Sequence, residues 1–157
     1  MRVVYHGGIF LQDGLSQVIL DPVRKTPGSV VSHGHMDHLT SGGVMTPETL
    51  EILRARRGSG TGTALPYDRE TEINGLRVTL KDAGHVFGSA MVRVEDLLYT
   101  GDFNPEGGAT CGKAVPERVQ NLVVDATYGR PGLSFPDKTA VEADLLTWLE
   151  MELADGP

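Results

Sequence analysis

The stretch "VVSHGHMDHLTSGG", residues 30 to 43, places three of the chain's five histidines and one aspartate within six positions: His33, His35, Asp37 and His38. It continues the apolar, β-branched run "SVV", which reads as a strand end. On a helix, residues two apart point to different sides, so His33 and His35 would not converge; on an extended segment or a loop they can. Asp37 and His38 are adjacent and project differently again. One ion is therefore unsuited to collect all four side chains, and two neighbouring divalent ions are the natural way to use them. Imidazole nitrogen and carboxylate oxygen without thiolate suit Zn²⁺, the first choice on ligand type, and also Mn²⁺ or Fe²⁺.

Outward from this loop, short apolar runs recur, each closed by a turn residue or an acid: "RVVY", "QVILD", "SVVSH", "LRVTLKD", "AMVRV", "LLYTGD" and "LVVDATYG". These read as strands. In "MTPETLEILRARRG" a helix is expected, with Thr46 as cap, Pro47 in the first turn and Gly58 as stop. In "DKTAVEADLLTWLEMELADG" a second is expected, with Thr139 and Glu142 as a capping box and Gly156 as stop. Many strands and few helices predict an α/β or α+β arrangement with helices on an outer face of a sheet. "RRGSGTGTALP" (56 to 66) and "NPEGGATCGKAVPE" (104 to 117) are Gly-rich and read as long loops, the former as a flexible excursion.

Three further residues end strands as His33 does. His85 sits in "DAGHVFGSA" between Gly84 and Gly88, small residues expected to let the backbone approach a metal closely. Asp102 follows Gly101 in "LLYTGDF", and Asp125 follows "LVV". All are expected along one sheet edge.

The chain has 157 residues, enough for one domain, with 39% apolar and 22% charged residues. Its formal charge of −7 gives no overall basic field for a polyanion, so such a substrate would need local help. Arg54, Arg56 and Arg57 form the compact basic cluster and read as complements to a helix dipole. No apolar run reaches membrane-spanning length and no signal-peptide pattern opens the chain. Cys111 is a lone thiol, which predicts a cytoplasmic location. His6 has no partner in sequence.

The ordered set "SHGHMDH", "AGHVFGSA", "YTGDF" and "DATYG" resembles the successive motifs of the metallo-β-lactamase superfamily in its β-CASP nuclease branch. That branch contains the 3′-end-processing nucleases of the cleavage and polyadenylation factor type, and DNA cross-link repair and ligase-associated exonucleases. The resemblance implies a metallo-β-lactamase-like αββα sandwich, of which residues 1–157 would be a single partial domain, the N-terminal half to two-thirds without the β-CASP insertion. It implies that His33, His35 and His85 bind one metal, that Asp37 and His38 bind the other, and that Asp102 bridges them. Asp21, ending "VILD", would support the site through its ligands rather than touch the metal. Asp125 matches the acid that positions a histidine protonating the leaving group.

The implied function is a metal-dependent phosphodiesterase of the RNA 3′-end-processing type, using a metal-bridged hydroxide, with Asp37 able to orient or deprotonate the attacking water. RNA, or DNA, is the implied substrate. No histidine follows His85, so the second metal site is expected to be incomplete here, and a homodimer or a partner chain is expected to complete the fold. A fragment, a short form completed by another chain and a degraded second site remain open. Two other readings stand beside the nuclease: a hydrolase of a small ester or thioester, and a non-catalytic module binding nucleic acid or a partner.

Overall fold

The computed structural model describes residues 1–58, 60–154 and 156. It divides into two units, Met1–Asp125 and the residues from Ala126 onward.

The first unit holds every strand. A meander of β1 (Arg2–Tyr5), β2 (Ile9–Asp13) and β3 (Ser16–Leu20) is antiparallel throughout. Val30 extends it, bridging Leu20 on one side and Val44 on the other in parallel fashion, so that β4 (Val44–Met45) and β5 (Thr63–Ala64) continue the same sheet. The run expected as the strand "SVVSH" is thus only a single bridging residue. Its neighbours are drawn off, as Ser32 turns to Asp21 and His33 to a polar cluster.

The second sheet is built from β6 (Glu70–Ile73), β7 (Leu76–Asp82), β8 (Ala90–Val94), β9 (Leu97–Tyr99) and β10 (Asn121–Val123), in the order β10-β9-β8-β7-β6. All of its pairs are antiparallel except β10 with β9. Strand β7 shows why it is one: Leu76, Val78 and Leu80 are buried at a period of two, with Arg77 outside between them. It is joined to β6 by Asn74-Gly75, both at positive φ (51° and 82°), as a two-residue hairpin turn requires.

Leu11, Val18, Leu20 and Val30 of the first sheet share one apolar core with Val78, Leu80, Val92 and Val94 of the second. Each such side chain, fully buried, contributes about 1.5–3 kcal/mol. Helix α1 (Pro47–Arg57) starts and stops where its sequence says: Thr46 accepts from the Thr49 amide, Pro47 occupies the first turn, and Gly58 at φ 71° closes the end. Its Leu50 and Leu53 pack on Val31, Leu39 and Met45. On the other face of the second sheet, Met91 and Leu98 pack with Ala83 and Ala114, next to Phe103 and Val119. The expected excursion at 56–66 is partly structured, since Thr63 and Ala64 pair with β4 and Leu65 is buried; Ser59 lies outside the described residues.

The second unit carries α2 (Lys138–Ala154), none of whose residues is buried. Its cap is Asp137, whose Oδ1 accepts from the Ala140 amide, and not the expected Thr139. The helix begins one residue before Thr139, which is therefore already inside it. Gly156 has the left-handed φ of a stop (70°), but Asp155 before it lies outside the described residues.

Candidate metal centre

His33 is held before it meets any ligand. Asp21, at φ 44°, turns its carboxylate onto the next strand end, where Oδ1 accepts from the Ser32 amide and Oδ2 from the Ser32 hydroxyl, each at 2.7 Å. The Tyr99 hydroxyl donates to the same Oδ2 at 2.9 Å. Because the Ser32 hydrogen is committed to Asp21, Ser32 Oγ can only accept from His33 Nδ1, 2.9 Å away. That network assigns the tautomer: Nδ1 carries the proton and Nε2 presents its lone pair. His33 is 1% exposed, and burial, aided by the neighbouring His38 imidazole, lowers its pKa to about 4. At neutral pH the ring is uncharged and ready to bind a cation.

The His33 Nε2 lone pair faces three other donors. His35 Nδ1 lies 3.1 Å away and Asp102 Oδ2 3.7 Å away. His85 Nε2 is 3.3 Å from His35 Nδ1 and 3.5 Å from Asp102 Oδ2. One ligand atom from each of these four residues lies within 4.8 Å of all the others. Zn–N bonds of about 2.0–2.1 Å in a tetrahedron set ligand atoms about 3.3 Å apart, and the four separations just given lie close to that length within a group that spans up to 4.8 Å. Three imidazole nitrogens and a carboxylate are also a donor set that a divalent cation of the zinc type takes. The residues therefore fit a divalent metal. Burial lowers the His85 pKa too, with His35 beside it acting in the same direction.

His85 is placed by its loop. The Ser89 hydroxyl accepts from the amides of His85 and Val86, and the Gly88 carbonyl accepts from the hydroxyls of Thr46 and Thr49 at the start of α1. The sequence reads the flanking glycines as room for a metal, and the structure shows protein packed closely against both. A Cβ on Gly88 would lie 2.7 Å from Glu48 Cβ, and one on Gly84 would meet the backbone of Lys113 and Ala114 at 2.8 Å. They are small so that protein can pack against the loop.

Asp37 and His38 stand outside the four-residue group. The Asp37 side chain is 80% exposed, with Oδ2 3.6 Å from His38 Nε2. His38 Nδ1 is 3.1 Å from Asp21 Oδ2, an ion-pair contact to an oxygen that also accepts from Ser32 and Tyr99. The proximity raises the His38 pKa. Burial pushes Asp21 upward, but the close His38 ring and the Ser32 amide outweigh it and hold the carboxyl below its ordinary range. Asp125 donates its amide to Thr100 Oγ1, and its charge acts on His85. The sequence assigned no role to Ser32, Tyr99, Ser89, Thr46 or Thr49 in holding these ligands. Ser32, directly before His33, and Tyr99, in the quoted "YTGDF", carried the available signal.

No family model matches the chain. A probable DNA ligase of Opitutus terrae is 32% identical over 136 residues, which cover 81% of this chain and 13% of the ligase. RNase aCSPSF2 of Saccharolobus solfataricus is 28% identical over 165 residues, covering 78% of this chain and 33% of that protein. Cleavage and polyadenylation specificity factor subunit 3 of Dictyostelium discoideum is 38% identical over 69 residues, 40% of this chain and 9% of that one. The chain is a homologue of the β-CASP metallo-β-lactamase nucleases. It spans a third or less of the length of these curated relatives. The mixture of two sheets with helices agrees with the α/β fold of a metallo-β-lactamase-like sequence. Among the described residues, no helix is long and apolar enough to cross a membrane.

Proposed function

We propose that this chain is the metal-holding part of a metal-dependent phosphodiesterase acting on nucleic acid, with RNA of the 3′-end-processing type as its first substrate class and DNA as its second. The observation that carries the reading is the convergence of His33 Nε2, His35 Nδ1, His85 Nε2 and Asp102 Oδ2. Relatives named as an RNase, a cleavage factor subunit and a probable DNA ligase support a nucleic-acid substrate.

In this proposal His33, His35 and His85 would hold one ion, zinc on donor type, Asp37 with His38 would serve a second, and Asp102 would contribute its carboxylate to both. When bound, such ions lower the pKa of water towards neutrality and offset phosphate charge. The chain's own residues do the remaining work. Asp21 and Ser32 keep the proton of His33 on Nδ1. Asp37, largely exposed beside His38, would take a proton from the attacking water at its carboxylate. Asp125 orients the group that protonates the leaving oxygen. No histidine follows His85, so that group and a further ligand for the second ion come from outside residues 1–157, whether a partner chain, a second copy or a longer form. Residues 1–157 as part of one domain, and a cytoplasmic location, belong to the same proposal.

The test is incubation of zinc-loaded protein with end-labelled single-stranded RNA, alone and in a version extended past Pro157. Cleavage by either form, abolished by chelation and by His35→Ala, is expected. Turnover of a thioester with no cleavage of RNA or DNA by either form would contradict the proposal.

A further inference from the structure

A cleft of about 380 Å³ opens beside the metal cluster, within the range of about 300–1,000 Å³ typical of small-molecule sites. His35 forms one side of it, so it shares a wall with the cluster. Its floor is apolar, from Ile52 and Ala55 of α1 and from Val86. Two features at its rim are unlike an ordinary surface. Phe87 stands 51% exposed, two residues after His85, on the loop that Ser89 and Gly88 pin at both ends. An aromatic ring held out of the core on a fixed loop has little freedom to lose when something stacks on it. Arg56, in the last turn of α1, also lines the cleft and makes no ion pair among the described residues.

An exposed ring, an unpaired guanidinium and an apolar floor are the components with which proteins take up a nucleotide without reading its sequence: the ring stacks a base and the cation holds a phosphate. The position also answers the charge problem. A chain of net charge −7 attracts a polyanion only through local cations, and Arg56 is one beside the cluster. A role for the basic cluster purely as a complement to the helix dipole does not account for Arg56 lining a cleft.

We propose that this cleft seats one nucleotide of a single-stranded substrate next to the metal cluster, its base against the ring of Phe87 and its phosphate at the guanidinium of Arg56. This rests on the phosphodiesterase reading above and adds to it the residues that hold the strand.

The experiment titrates zinc-loaded protein with fluorescein-labelled U10 RNA and dT10 DNA across a salt series. Phe87→Ala should weaken binding about ten-fold, and Phe87→Trp should restore it. Arg56→Gln should weaken binding and reduce the slope of log affinity against log salt by about one, as loss of one phosphate contact does. Arg54→Gln, on the same helix but off the cleft, should stay within about two-fold of the parent. Thermal melts identify any variant that fails to fold; because Arg56 is fully on the surface, its salt slope still decides if Phe87→Ala unfolds. A parent that binds or cleaves the oligonucleotides while Phe87→Ala and Arg56→Gln behave like it overturns this inference and leaves the phosphodiesterase reading intact. A parent that neither binds nor cleaves overturns both.

Discussion

At the scale of single residues, Asp21 organises the centre although it belongs to no ligand group. Its left-handed backbone costs of order 1 kcal/mol and is retained because the carboxylate then meets the Ser32 amide, two hydroxyls and the His38 ring. An Asn at this position keeps the shape but turns an NH₂ group towards one of those donors. Asp21→Asn should therefore lower stability by about 1–3 kcal/mol in urea titrations. It should also weaken zinc binding about 10- to 100-fold by calorimetry, since Ser32 is then no longer held as the acceptor that fixes the His33 tautomer. Unchanged zinc affinity would show that His33 does not depend on Asp21. His33 itself predicts a pH effect. Its pKa is lowered from 6.5 to about 4 in the folded chain, so its contribution to the metal-free fold is complete above pH 6.5 and is lost as pH falls towards 4. His38 acts with the opposite sign: its pKa is raised, so its contribution is complete below 6.5 and is lost as pH rises through the folded value. Comparing the metal-free parent with His33→Gln isolates the first effect. The variant should lose less stability than the parent between pH 6.5 and 4, and an equal loss would contradict the assignment.

At the scale of elements, the loop from Asp82 to Ala90 depends on α1. Gly88 has φ 78°, and an added Cβ would sit 2.9 Å from the Thr49 amide nitrogen. Gly88→Ala should cost about 1–3 kcal/mol and lower the melting temperature by several degrees. It should also reduce metal affinity by displacing His85; a melting temperature within a degree of the parent would refute the pinning of this loop. The same contact shows what local pattern cannot reveal. Thr46 was legible as a cap and Gly58 as a stop because both act within their own helix. The bond from Thr46 to Gly88 spans 42 residues, so the glycines around His85 were read towards a metal when Gly88 makes room for α1 and Gly84 for the backbone of Lys113 and Ala114. Strand β6 went unread because "ETEI" has one buried residue, although the Asn74-Gly75 turn after it is a hairpin signal. At α2, Asp137 caps in place of Thr139, a choice between neighbouring residues that both have capping side chains.

At the scale of the whole first unit, the centre exists because separate chain segments end together. His33 follows the bridge at Val30, His85 follows β7, and Asp102 follows β9. The identities of the candidate ligands could be read from residue type and position after strand runs. The placing of Asp37 and His38 apart from His33 could be read from their spacing, whereas the distances that bring His33, His35, His85 and Asp102 together could not, because they follow from how the two sheets face each other. The central claim is that His33, His35, His85 and Asp102 hold a divalent cation. The most direct measurement is elemental analysis of the purified chain after equilibration with zinc and exhaustive dialysis, beside His35→Ala and His85→Ala. About one tightly held equivalent is expected in the parent, and its loss in both variants. A parent that retains none, or variants that retain as much as the parent, would contradict it.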